Sequence, residues 1–574
     1  MLKLLVAILL FTFTLPALAK EKLCSGVFIY GADLNLTATE KRMICGDEKL
    51  RPYQDIPAYE ARFFFKGFLQ SRGYLNPEFE IRNEELHVHA GKKKEVKQIS
   101  TVGENRNLAK KIDDELDKLF EDKVLSTGLL DEVEAEALEQ LSYRGYPCAK
   151  VSSEAYTGSG EIRINLTDTR KYKFGEVDVE EIDGLKESAL DRYYPFSPDY
   201  TFDERLLELT EKRMLRAEVV QGTYFLENCT EKSFSLSQHF IIGPPRTFRF
   251  GVGASTELGP FARVRWSHNR YKSMASILSA NLQASLRSQS LNLSADSFFW
   301  NHRPRRSLLS QFEIIHESQF DYEQLVLRLK PHMKWTRDSE GFHKLYTLGP
   351  TYEAGTYHSV DTTDTKSFSS GILEGGLAWT SHTYEFFDLH PQEGEVYSFN
   401  FDARHPSLGF SDPLLKVDSS ILNLGKLTDW GRGSLVGAAR LNMGTTWIEN
   451  ELSLKGLPPT VKFFGGGSND IRGFLLNTIP NNQGLGALTR VSLKLELRRT
   501  YLFRESVEGF TFLDSAYFGD DSWDLDRSLY YSPGVGARWL SPIGLIQGYV
   551  SRGYITDPFR DRGYFLYFGI GGIF

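Results

Sequence analysis

Residues 464–474 read FGGGSNDIRGF. Three successive glycines are followed by Ser468, Asn469 and Asp470, and then by a single arginine, Arg472, in an apolar tail. A glycine run ahead of a charged residue has the composition of a phosphate cradle, in which backbone N–H groups close around an anion. That chemistry needs a strand before the run, a helix after it, and G-x-G-x-x-G or Walker spacing. Here the flanking segments alternate like strands and no Walker lysine follows, so the pattern points away from nucleotide binding. His87 and His89 alternate along LHVHA and could ligate a metal. No third ligand accompanies them, so they are expected to be solvated strand residues. No G-x-S-x-G nucleophile elbow is present. The expectation is a protein without catalytic residues, metal or cofactor.

The elements that must position Arg472 follow from the rest of the chain. A length of 574 residues implies several domains. Residues 1–19 have the form of a secretory signal peptide: one lysine, an apolar run, and Ala17-Leu18-Ala19 before Lys20. Cys24 does not stand in a lipoprotein cleavage context. No later run of 18 apolar residues suggests a membrane-spanning helix. The four cysteines, Cys24, Cys45, Cys148 and Cys229, fit disulfides in an exported chain. Three connectivities are open, and proximity in sequence favours Cys24–Cys45 with Cys148–Cys229. Residues 1–245 hold 33 Lys+Arg against 42 Asp+Glu, and residues 246–574 hold 34 against 33. An acidic N-terminal part argues against nucleic acid as a partner.

The two parts differ in hydrophobic period. In the first, NLAKKIDDELDKLFED and GLLDEVEAEALEQLSYRGY carry apolar residues at helical spacing, and short strand-like runs follow. A helix-end signature recurs at Ser71-Arg72-Gly73-Tyr74, Tyr143-Arg144-Gly145-Tyr146 and Gln221-Gly222-Thr223-Tyr224, with its glycines 72 and 77 residues apart. Glycine is a natural C-cap. The repeat predicts three β-α-α-β-β modules, at residues 20–95, 96–170 and 171–245.

After Gly243-Pro244-Pro245 the period becomes two. QLVLRLK, VYSFNFDA and RVSLKLELR each place apolar residues on one face and polar ones on the other. A soluble sandwich would also alternate. The aromatic faces, strand lengths of about 10 residues and the terminal YFLYFGIGGIF favour a membrane barrel, which must close to pair its backbone in lipid. From TFRFGVGAST to the end the pattern predicts 16 antiparallel strands across residues 246–574. The fold class is therefore α+β modules followed by an all-β transmembrane barrel.

Ile471-Arg472-Gly473-Phe474 resembles the V/I-R-G-F/Y motif in the loop before the twelfth strand of the BamA/TamA superfamily of outer-membrane assembly proteins. The repeated modules are similar to that family's polypeptide-transport-associated (POTRA) domains. SPGVGARWLSPIG resembles its Gly-x-Gly-x-Arg strand, FTFLDSAYF its thirteenth strand, and Phe574 its C-terminal signal. The resemblance implies that the loop folds into the barrel lumen, with Gly465, Gly466 and Gly467 giving it room, and that Arg472 meets a carboxylate there. Glu496 lies on the polar face of its strand and qualifies by pattern. Asp514 shares its face with Phe510 and Phe512, and only the resemblance turns it inward. The last strand, with Tyr564, Leu566, Phe568, Gly569, Ile570, Gly571, Gly572 and Phe574, then closes on the first in a glycine-weakened seam. The implied activity is nucleotide-free insertion or translocation of clients such as autotransporters and other barrels. The implied location is the bacterial outer membrane, with the modules in the periplasm. The implied partners are the lipid bilayer, unfolded outer-membrane or secreted clients, and an inner-membrane-anchored, TamB-like protein. The alternative is a two-partner-secretion transporter exporting one dedicated substrate through the pore, although three helix-end repeats exceed the two modules of that family.

Overall fold

The structure is a computed structural model. It describes residues 20–570 apart from 25, 32–33, 35, 47–57, 83–84, 231–232, 321, 340, 360–364, 388–390, 410–411, 450–453, 481–484, 505, 526–527 and 543. The expected signal peptide, and Gly571, Gly572 and Phe574 of the expected C-terminal signal, lie outside the described residues. Among the described residues no helix is long and apolar enough to cross a membrane.

The N-terminal part contains three small sheets, each with helical segments between its strands. In the first, strands Lys20–Cys24, Val27–Tyr30, Glu85–His89 and Glu78–Arg82 lie side by side in that order. Helices Ala38–Cys45 and Ala58–Ser71 precede the last hairpin. Thr37 and Glu40 form a reciprocal capping box, which satisfies two otherwise orphaned N–H groups. In the second, helices Arg106–Phe120 and Thr127–Ser142 bury Ile112, Leu116, Val133 and Leu141 against Ile162 and Ile164 of the sheet. Asn105 and Ser126 cap their N-termini. Gly73 and Gly145 end their helices at φ +87° and +95°, the left-handed region that a C-cap needs.

The third repeat departs from the expected pattern twice. Its sheet is Val177–Val179, Phe234–Ile241 and Gly222–Cys229. Only one α-helix, Glu204–Arg216, is present, and two single 3-10 turns at Glu187–Ala189 and Asp191–Tyr193 stand where the first helix was expected. Pro195 and Pro198 stop helix growth in that segment, because proline disfavours helical backbone in the residue before it. The third signature glycine is also not a cap. Gly222 opens a strand, and Glu218 takes the left-handed position, at φ +53°. Its carboxylate accepts from Thr247, Ser267 and Asn269 and pairs with Arg249, which holds a non-glycine residue in that conformation.

Both disulfides are Cys24–Cys45 and Cys148–Cys229, and no described cysteine is free. The chain forms two compact units. One comprises residues 1–175, 198–205 and 227–235; the other comprises 176–197, 206–226 and 236–574. Most of the third repeat is therefore one body with the barrel. Arg192 donates to the carbonyls of Met274 and Ala275 at 2.8 and 2.7 Å. Arg213 pairs with Asp338 at 2.9 Å and Glu385 at 2.6 Å.

The barrel is closed by 16 strands, from Arg246–Ser255 to Phe559–Ile570, each paired with its sequence neighbour. All adjacent pairs are antiparallel, including the closing pair of first and last. On the twelfth strand, Thr489–Arg499, Leu493, Leu495 and Leu497 face outward and are exposed, while Glu496 is buried within. That inside-out polarity suits a strand with hydrocarbon outside and polar groups inside.

Candidate functional site

Between the eleventh strand, Gly433–Ile448, and the twelfth, the chain turns into the lumen. The inserted loop has its own ladder: Phe463 pairs with Ala487 and Gly465 with Ile479. Its apolar residues Ile471, Phe474 and Ile479 pack against Ala516 and Phe518 of the thirteenth strand, Val507–Gly519, and against Tyr530 and Ile555. A loop that brings its own apolar surface is a core element, and burial holds it in the lumen.

Arg472 lies at the centre and is 3 % exposed. Nε and Nη2 both donate to the Asp514 carboxylate at 2.8 Å, and the Arg472 backbone N–H adds a third bond at 3.0 Å. Nη1 donates to Glu496 at 2.5 Å. The guanidinium plane lies 3.5 Å from the centroid of the Phe512 ring. Each of the three guanidinium nitrogens has a carboxylate partner, and the flat face is covered by an aromatic ring, an arrangement lysine cannot copy. Glu496 in turn accepts from Arg498 and Arg538, each at 2.7 Å. Three arginines and two carboxylates therefore form one connected network in which each buried charge has partners, as burial demands.

The structure brings together Ile471, Arg472, Gly473, Phe474, Glu496 and Asp514. Asp514 is fully buried and points inward in one row with Phe510, Phe512, Ala516 and Phe518. The row is aromatic because the lumen at this height holds the loop instead of water. Gly473 has φ +95°, and a Cβ there would run into Ser532. The neighbouring strand, Leu529–Ser541, contributes Gly534 and Gly536, whose missing side chains leave space for the Phe512 and Phe510 rings. Its Arg538 reaches Glu496. The Gly-x-Gly-x-Arg run marks this strand in the sequence, but nothing there shows that its glycines seat the aromatic platform under Arg472. Two further contacts carry no sequence signal. Glu257, in the turn after the first strand, accepts from the Ser468 N–H at 3.1 Å and from its hydroxyl at 2.5 Å. Lys494 donates to the Asn469 carbonyl at 2.8 Å. The Ser468 N–H, directly after the glycine run, thus does meet an anion, and the anion is the protein's own carboxylate.

The seam is the second part of the site. The first strand pairs with the second strand, Gly259–Tyr271, along all of Arg246–Ser255. Among the described residues it pairs with the last strand only at Ala254–Ile570 and Ser255–Gly569. One further backbone bond joins the Thr256 N–H to the Phe568 carbonyl at 2.9 Å. Tyr564, Leu566 and Phe568 of the last strand face outward and are exposed. Tyr567 faces inward and stacks on Tyr549, with ring centroids 4.8 Å apart, and Tyr549 meets Phe512 edge-on at 5.5 Å. An aromatic row so runs from the Arg472 network to the seam. Elsewhere, His87 is hydrogen-bonded to Tyr30 and His89 stacks on the same ring. No group of three metal-ligating side chains occurs among the described residues.

Residues 320–574 match the Omp85 superfamily domain. The Omp85 match contains the lumen loop, Glu496, Asp514 and the last strand; the first strand and Glu257 precede it. Similar solved structures include BamA from Haemophilus ducreyi lacking POTRA domains 1–3, at 15% identity over 83% of this chain and 99% of that one, with a TM-score of 0.48. CdiB from Acinetobacter baumannii, at 13% identity, covers 83% of this chain and 89% of its own, with a TM-score of 0.48. CdiB from Escherichia coli, also at 13% identity, covers 89% and 96%, again with a TM-score of 0.48.

Proposed function

We propose that the protein is an outer-membrane assembly factor that helps insert or translocate client proteins through its barrel seam without nucleotide energy. One observation carries this reading. Each strand of the barrel has a long paired neighbour on both sides except at one place, where the first strand ends at Ser255 opposite Gly569 and leaves residues 559–567 of the last strand without a ladder partner on that side among the described residues. Such an open sheet edge offers backbone donors and acceptors to an incoming strand, and pairing to it needs no chemical energy input. The Omp85 match supports an outer-membrane location and a role in assembly or secretion. The α/β modules before the barrel belong in the periplasm on this reading. Their order and their resemblance to POTRA domains favour a TamA-type assembly factor acting on autotransporters and other barrels, with an inner-membrane-anchored, TamB-like partner. The Arg472 network serves this function by holding the loop, and through it the walls of the lumen, in one arrangement.

The test is a lock across the seam. Ala254→Cys and Ile570→Cys replace outward-facing register partners, which a disulfide or a short bis-thiol linker can join. Client assembly is followed in the linked and reduced states, in a background lacking the four native cysteines. Assembly is expected to stop on linking and to return on release. Undiminished assembly with the seam locked would overturn the reading, and would favour passage of a dedicated substrate through the pore.

A further inference from the structure

The lumen loop touches two parts of the barrel that are far apart along the chain. On one side Arg472 is fixed to Glu496 and Asp514 on the twelfth and thirteenth strands. On the other, Ser468 is fixed to Glu257 by two hydrogen bonds, one from its backbone and one from its hydroxyl. Glu257 belongs to the turn that joins the first strand to the second. Between these attachments, going round the wall, lie the fourteenth, fifteenth and sixteenth strands and the seam itself. The loop is thus a chord across the lumen that bypasses the seam.

We propose that the Ser468–Glu257 contact is a latch for the barrel seam. While it is made, the first hairpin is tied through the loop to the thirteenth strand, and the two sides of the seam cannot separate without stretching the chord. Widening the seam therefore requires Glu257 to release Ser468. The fit at the contact is specific. A side chain at Gly467 would occupy the place of the Glu257 carboxylate, so glycine is needed for the loop tip to approach it. The hydroxyl of Tyr567, on the last strand, sits beside both Ser468 and Ser255. The loop, the first strand and the last strand therefore meet at one point, next to the two residues that close the seam. Two bonds to an ionised acceptor are stronger than two neutral ones, yet far weaker than the Arg472 network, so the contact to Glu257 is the end of the chord that lets go.

The inference deepens the assembly reading and rests on it for its purpose, but its test does not measure assembly. Spin labels on cysteines at Val252 and Leu566, both outward-facing, report the width of the seam in the full-length protein in lipid nanodiscs. The four native cysteines are disulfide-bonded and take no label. Glu257→Ala, which removes both bonds to Ser468, is expected to raise the ratio of wide to narrow seam by about tenfold or more. Ser468→Ala, which removes only the hydroxyl, is expected to give a smaller rise, as is Glu257→Gln, which keeps one acceptor oxygen. Identical distance distributions in wild type and Glu257→Ala would overturn the latch. Should Glu257→Ala fail to fold, Ser468→Ala and Glu257→Gln are judged by the same criterion. If instead locking the seam leaves assembly intact, the assembly reading falls while the width measurement still decides the latch.

Discussion

The two walls of this barrel obey different rules. On the wall that includes the sixth strand, Tyr322–Ser339, inward charges pair from strand to strand: Lys330 with Glu374 at 3.2 Å, and Lys334 with Asp296 at 2.6 Å. Lys330, Glu374 and Lys334 keep part of their surface in contact with solvent. On the wall that includes the thirteenth strand, the stretch of the inward row beside the loop is Phe510, Phe512, Asp514, Ala516 and Phe518, and its Asp514 is spent on the loop. The same period of two underlies both walls. What changes is the medium that the inner face meets: water in one case, packed polypeptide in the other. A barrel wall can be apolar inside where a packed loop, instead of water, fills the lumen beside it.

Three substitutions probe that contrast. The largest effect is expected from Arg472→Ala, which strands the buried Asp514 carboxylate and takes one of its three arginine partners from Glu496. Removing one partner of such a network costs about 3–5 kcal/mol. Unfolding in denaturant, followed by loss of the folded barrel's gel mobility, measures it. Combination with Asp514→Ala is expected to be strongly non-additive; simple additivity would break the pairing. Arg472→Lys should recover little, because the fork and the stack on Phe512 are both lost. Next comes Gly534→Ala, whose methyl group would enter the Phe512 ring. Overpacking of this kind costs about 1–3 kcal/mol, and Phe512→Leu in the same chain should relieve it. The smallest effect is expected from Lys330→Ala, whose partner Glu374 is partly solvated, about 1 kcal/mol. Raising salt should shrink the Lys330 effect further and leave the Arg472 effect nearly unchanged, since screening reaches solvated pairs far better than buried ones. Equal salt dependence of the two would erase the distinction between the walls.

The same contrast explains what could be read from the sequence. The barrel, with all 16 strands, was legible because alternation is enforced by the outer face wherever the strand crosses. Glu496 was legible because its neighbours Lys494 and Arg498 advertise a polar face. Asp514 was opaque to that rule, since its row is a protein core and reads as one. The glycines of Gly534-Val535-Gly536 gave no hint of their task, which is defined by rings on the adjacent strand. Glu257 was invisible, because a carboxylate in a short turn has the composition of any solvated turn and its partner is 211 residues away. In the modules, Gly73 and Gly145 announced helix ends, while Gly222 imitated the signature without the geometry. A local motif reports backbone conformation only when nothing nearby can impose it, and at Glu218 four barrel side chains do.

That grip on Glu218 has a mechanical corollary. Thr247 and Arg249 stand at the base of the first strand, and the carboxylate that holds them belongs to the third repeat, itself moored to barrel turns through Arg192 and Arg213. The first strand is thus anchored below by the third repeat and above by its own hairpin. No comparable mooring holds the base of the last strand among the described residues. The base of the first strand, near Thr247 and Arg249, is therefore the part of the seam expected to move least when the wall spreads.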